Sequence, residues 1–387
     1  MSTTPQPRAY GGPTLFSYGF RPFFLSGAIW SALAIPLWIW SLTGGAAMGG
    51  HRDWHVHEML FGVLSAIVAG FLTTAVPSWT GRPPLRGWAL ASLWSLWLVG
   101  RLAMLAETFI GPIAAWIDAA FLVVLAIVIG REVLAAKNWR NLPVGLLVGL
   151  LAAGNIAFHL TAAASARDLG VRLALSATAC LLALIGGRIT PNFSTNWLRQ
   201  RGVTPLPATF SRLDMAALVA TGLAGLAWTA LADHAVAGVL LVTAGVLNLV
   251  RVTRWQGLAT LDEPLLAILH VGYIWLALGL VLLGAGVLTP FAPRAAGIHA
   301  LSAGAIGVTC LAVMCRASRG HTGRPLSADT PTVTIFAAIN LSAVMRVAAA
   351  FVPEFQSGLL ILAAVFWTIA YGGFALFYGP MLWRKQA

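Results

Sequence analysis

Two histidines in this chain introduce the same local pattern. His57 opens an apolar run that ends at Thr80-Gly81-Arg82-Pro83, and His299 opens one that ends at Thr322-Gly323-Arg324-Pro325; the motif starts 23 residues after each histidine. At a helical rise of about 1.5 Å per residue, such a run crosses the hydrocarbon of a bilayer, placing both imidazoles near one face and both basic turns near the other. Imidazole is a preferred ligand of haem iron and of copper. Two at equivalent depth point to metal chemistry inside a membrane, at a shared site if the two helices meet.

The remaining histidines sort by depth. His51 and His55 lie beside His57 at the start of the second apolar stretch, and His159 lies near the same level at the end of the fifth. His234 falls in a short connection on that side. His270 sits about 10 Å into the ninth stretch from the opposite face, at about 1.5 Å per residue, and His321 closes the tenth. A single intramembrane histidine commonly does no more than hydrogen-bond between helices, and His51 and His234 read as solvated loop residues. The clustering marks His57 and His299 as the first candidates for haem or metal ligands and His55 and His159 as the next, with His270 a thinner candidate at the other face. His55 and His57 are two residues apart, about 200° around a helix, so one ion takes both only where the chain is not helical. Otherwise they serve different places, a haem and a copper.

Arginine adds a second hint. Arg101 near the end of the third stretch and Arg346 near the end of the eleventh sit toward the histidine-bearing face. A charge at that depth is costly unless paired. Haem propionates suit a guanidinium fork, which makes Arg101 and Arg346 cofactor-binding candidates; the alternatives are pairing with Glu58, Glu107 or Asp118, or snorkelling to water.

The elements that must position these residues are transmembrane helices. With 59% hydrophobic and 9% charged residues the chain is too apolar for a soluble domain. Twelve stretches are long enough to span, at roughly 23–43, 56–78, 88–106, 112–130, 143–164, 171–190, 212–231, 234–251, 264–287, 297–317, 331–352 and 358–379. The expected fold is an all-α polytopic membrane protein forming one integral membrane domain over 1–387. Of the 24 Lys and Arg residues, 18 fall on the side of the termini, which predicts cytoplasmic termini and histidines toward the opposite face. The charge of +12 then reflects topology and anionic headgroups rather than nucleic-acid binding. Cys180, Cys310 and Cys315 all fall within spans and read as apolar fillers.

The histidine motif repeats at an offset of 242, which Pro22 and Pro264 share, and Pro143 stands halfway. A period near a third of the chain suggests three four-helix repeats, over 16–131, 140–255 and 258–380, sharing one orientation about an axis along the membrane normal.

Several longer motifs carry a family likeness. They are Gly19-Phe20-Arg21-Pro22-Phe23-Phe24, His55-Val56-His57-Glu58-Met59-Leu60-Phe61-Gly62, Gly70-Phe71-Leu72-Thr73-Thr74-Ala75 with Trp79-Thr80-Gly81-Arg82-Pro83, Gly186-Gly187-Arg188-Ile189-Thr190-Pro191-Asn192-Phe193, and His299-Ala300-Leu301 with His321-Thr322-Gly323-Arg324. Together they make the chain resemble the NnrS family of bacterial inner-membrane proteins over nearly its whole length. The resemblance implies haem b, copper, and a part in denitrification and tolerance of nitric oxide. It leaves open which histidine takes which metal. Turnover of the gas would need an electron donor that the sequence does not identify, and Glu58 and Asp118 are the intramembrane acids available to relay protons. Two other readings suit twelve spans: a secondary transporter, and a membrane sensor of gas or haem with a docking loop at Ser194 to Ser211.

Overall fold

The computed structural model describes residues 10–42, 44, 51–160 and 164–384, so Lys385 and the side chain of His51 lie outside the described residues. Among these there is no strand. Twelve helices are long and apolar enough to cross a membrane: α1 (Phe20–Leu42), α2 (Arg52–Thr80), α3 (Trp88–Leu105), α4 (Ile113–Ala135), α5 (Trp139–His159), α6 (Arg167–Gln200), α7 (Arg212–Ala230), α8 (Ala235–Thr253), α9 (Pro264–Leu288), α10 (Arg294–His321), α11 (Thr330–Ala348) and α12 (Pro353–Trp383). The protein is a multi-pass membrane protein.

Helix ends follow from local chemistry. In both Thr-Gly-Arg-Pro motifs the glycine is left-handed, with φ of 69° at Gly81 and 65° at Gly323, the conformation that ends a helix and that glycine adopts without steric penalty. Gly81 N–H bonds to the Pro77 carbonyl at 2.9 Å, and Arg324 N–H reaches back to Arg319 O at 2.9 Å. The repeated motif is thus first a helix stop. Helix starts are capped by acids: Glu263 accepts from Leu265 N at 3.1 Å, Asp329 from Thr332 N at 3.1 Å and Asp214 from Ser211 N at 2.8 Å.

Helices α2, α6 and α10 touch one another at the centre, and the other nine pack around them in three groups, α3–α4–α5, α7–α8–α9 and α11–α12–α1, the last joining the two ends of the described chain. Arg21 fastens that closure by donating to the Met381 and Leu382 carbonyls at 3.1 and 2.9 Å. Burial follows the layering, with 78% of the apolar window of α2 and 72% of that of α10 inside the protein, against 22% for α12.

Each inner helix contains a π-helical turn, at Glu58–Val63, Leu182–Gly186 and Ala300–Ile306. A π turn widens the backbone and disturbs the regular hydrogen-bond ladder, and neighbouring side chains bond to carbonyls in or beside each one. Trp97 Nε1 donates to Gly62 O at 2.9 Å, Arg251 Nη1 to Ala183 O at 2.9 Å and Tyr371 OH to Gly307 O at 3.4 Å. In α6 the helix continues to Gln200 through Pro191, past the expected end near residue 190 and through the first part of the expected docking loop. Pro191 has no N–H for the Gly187 carbonyl, and Arg251 Nη2 approaches that carbonyl at 3.5 Å instead.

Candidate functional site

The turn His51–His57 is helical, so His55 and His57 point into different cavities. His57 faces one of about 680 Å³, also lined by Asp53, Glu107, Trp116, His159 and Arg167. His55 faces another of about 460 Å³, with His299, Arg346, Trp38, Trp367 and Tyr371. His57 and His299, which a shared site would require together, are apart. The structure groups His57 with His159 and His55 with His299.

The first group is assembled from five helices. His57 and Glu58 come from α2, Arg101 from α3, Asp118 from α4, Asn155 and His159 from α5, and Trp30 from α1. Arg101 Nη1 donates to Glu58 Oε2 at 2.6 Å and its Nη2 bonds to Asp118 Oδ1; all three side chains are buried. Trp30 Nε1 also donates to Glu58 Oε2, at 2.6 Å. Arg101 is therefore engaged by two carboxylates. Gly62 makes room for this knot, since a Cβ there would stand 2.6 Å from both Arg101 Nη1 and Glu58 Oε2.

His57 Nδ1 lies 3.1 Å from Glu58 Oε1. Both ring nitrogens face a carboxylate oxygen, and a carboxylate only accepts; in the neutral tautomer whose Nδ1 proton goes to Glu58, Nε2 presents a lone pair. That Nε2 lies 3.0 Å from Asp118 Oδ2, 3.1 Å from His159 Nε2 and 3.3 Å from Asn155 Oδ1, and the His159 Nε2 to Asp118 Oδ2 distance is 3.0 Å. In that tautomer four lone-pair atoms converge and only His159 Nε2 can bring a proton to them, while the Asn155 amide N–H goes to Asp118 Oδ2 at 2.8 Å. Such an arrangement is stabilised by a cation at its centre. Donors of one first-row ion, at about 2.0–2.2 Å from it, stand about 3 Å apart, which the His57, Asp118 and His159 triangle matches. Glu58 stands behind His57 as a carboxylate does where it orients a metal-ligating imidazole. Asp118 and Asn155 complete a donor set of which the sequence singled out only the histidines as ligands.

The second cavity is mostly hydrocarbon. The His55 ring stacks on Trp38 with centroids 3.9 Å apart, while His55 Nδ1 and Trp38 Nε1 are buried with no hydrogen-bond partner among the described residues. Arg346 donates to His299 Nε2, and among the described residues no carboxylate pairs with it. The contrast with Arg101 has a plain cause: the residue after His57 is Glu58, whereas the residue after His299 is Ala300. Two imidazoles, a guanidinium without a counter-ion and orphaned ring nitrogens, in a volume within the roughly 300–1,000 Å³ typical of cofactor sites, fit a flat apolar group carrying carboxylates, as haem does.

The other histidines are satisfied locally. His270 Nδ1 lies 3.1 Å from Leu266 O and its Nε2 3.4 Å from Ser194 Oγ; among the described residues it belongs to no group of three metal-ligating side chains. His234 caps α8 by accepting from Val236 N at 3.2 Å, and His321 stacks on Phe20 at 5.4 Å.

A family model described as NnrS protein matches residues 14–386. No curated protein matches the chain.

Proposed function

The chain belongs to the NnrS family, and on that premise we propose that it is a haem- and copper-containing membrane protein of the nitric oxide response, with the two cofactors in the two adjoining cavities. The observation that carries this reading is that His55 and His57, two residues apart on one turn, line different cavities whose other walls suit different groups. His55 and His299 would hold haem b, with Arg346 on a propionate. His57, His159 and Asp118 would hold copper, for which nitrogen and oxygen donors suit the divalent state. Bound haem supplies an iron that can exchange an electron and, with one of the two imidazoles ligating and the other beside the open position, take a neutral diatomic gas.

The protein's own residues set the conditions for that chemistry. Trp38, Trp367 and Tyr371 wall the haem cavity with aromatic surface and keep water from it. Glu58 fixes the His57 tautomer, and Arg101 holds Glu58 and Asp118 as carboxylates so that Asp118 can serve as a ligand. The first cavity leaves the triad accessible on one side, since His159 lines it; this is the form of a site that takes a further ligand. With positive loops cytoplasmic, both cavities belong to the outer half of the inner membrane.

The test is metal and haem content together with reduced-minus-oxidised spectra, before and after anaerobic nitric oxide, in single alanine variants. His55→Ala and His299→Ala should abolish the haem bands and leave copper; His57→Ala and His159→Ala should do the reverse. Haem lost from His57→Ala but retained in His299→Ala would sink the assignment, and absence of haem from protein made with ample haem would sink the function.

A further inference from the structure

Between the three inner helices lies another cavity, of about 80 Å³. Phe71 of α2, Leu181 and Ile185 of α6, and Ile306 and Val313 of α10 form its walls. The Thr178 hydroxyl is turned back onto its own helix, donating to Ala174 O at 2.7 Å. The cavity adjoins the His55–His299 cavity, because Leu64, Ile67, Ile306 and Cys310 line both. Its origin lies in the backbone: Leu182, Ile185 and Ile306 belong to π turns and Leu64 directly follows one, and helices widened there do not close-pack about their common axis as regular ones would.

We propose that this axial cavity is a holding site for a small, neutral, apolar gas, which moves between it and the His55–His299 cavity. Beyond Thr178 only the Thr309 hydroxyl and Cys310 thiol are polar among the described side chains of the lining, too few to solvate an ionic or strongly polar guest, whose desolvation would cost several kcal/mol. Apolar cavities of this kind stay dry and accept guests such as xenon. A neutral diatomic dissolves in the bilayer core, so the site lies where such a molecule is already concentrated. The holding role stands on the cavity alone; the passage onward rests on the haem assignment proposed above.

Ile185→Trp and Val313→Phe fill the axial cavity from residues that do not line the His55–His299 cavity. In crystals of the whole protein under xenon pressure, xenon should appear between α2, α6 and α10 in the wild type and be lost in Ile185→Trp. No xenon there, or an acyl chain in its place, overturns the holding site. With the reduced protein and carbon monoxide, both variants should slow association and dissociation together by about tenfold, leaving Kd within about twofold. Unchanged rates overturn the passage. Xenon bound in a protein that carries no haem would refute the proposed function and leave the holding site standing. Val313→Phe, the smaller change, serves if the tryptophan variant does not fold.

Discussion

Replacing Arg101 with methionine tests the central knot most directly. The guanidinium is 1% exposed and bridges two carboxylates that are themselves at most 1% exposed. At an effective dielectric of about 20, each contact is worth roughly 4 kcal/mol before desolvation is subtracted. Removing one partner of a buried pair typically costs about 3–5 kcal/mol, because the other charge stays buried and unpaired. Here one cation is lost against two anions, so Arg101→Met should fall at the upper end of that range, with loss of copper and little change in haem. Two assays read this: thermal unfolding in detergent, and copper and haem per protein. The variant Glu58→Gln/Arg101→Met/Asp118→Asn removes the uncompensated charge and should recover much of the stability while copper stays lost. If Arg101→Met unfolded like the wild type, or shed haem while keeping copper, Arg101 would be holding a propionate and the carboxylate knot would be incidental.

Gly62→Ala puts a methyl group 2.6 Å from Arg101 Nη1 and Glu58 Oε2, which are hydrogen-bonded to each other; overpacking of this kind costs about 1–3 kcal/mol and should lower both the unfolding midpoint and copper occupancy. Arg346→Leu removes a charge-assisted contact worth about 1.5–3 kcal/mol, so haem affinity should drop by about ten- to a hundredfold, read by titrating haem into apoprotein, while copper is unchanged. In the α10–α11 connection, burial works against ionisation of Asp329, but hydrogen bonds from Thr332 and the Arg319 guanidinium outweigh it and hold the carboxyl below its usual value. A carboxyl lowered on folding contributes stability that is complete above its unfolded pKa of about 3.9 and is lost as pH falls toward the lower folded value. Asp329→Asn should flatten that acid limb of the unfolding curve, and an unaltered limb would show that the cap does not couple to folding.

The twelve spans were legible because hydropathy reports each helix separately. So was the divergence of His55 and His57, a matter of angle within one turn. The sequence could not show which helices share a cavity, and that decides the partners: the matched motifs invited His57 and His299 together, whereas the histidine-bearing ends of α2 and α10 face different neighbours. Asn155 carried one overlooked signal, its four-residue spacing from His159 on the same face of α5. Asp118 was noticed as a costly intramembrane acid, but its meeting with His159 depends on the packing of α4 against α5. The π turns left no sequence mark that a 3.6-residue period would register. The Gly62 position in the motif becomes intelligible only once Arg101 is seen lying over it.

The ring closed between α1 and α12 sets an order of biogenesis. Every member of the His57 triad and its carboxylate knot lies on α1 to α5, so that site can be complete while more than half the chain is still on the ribosome. The His55–His299 cavity takes walls from α1, α2, α6, α10, α11 and α12 and does not exist until the final span has entered the bilayer and Arg21 has caught its carbonyls. On the proposed assignment, copper could be captured once α5 is in the bilayer, whereas haem would have to wait for the walls that α11 and α12 supply. A chain that stalls before α12 would then bind the one and not the other.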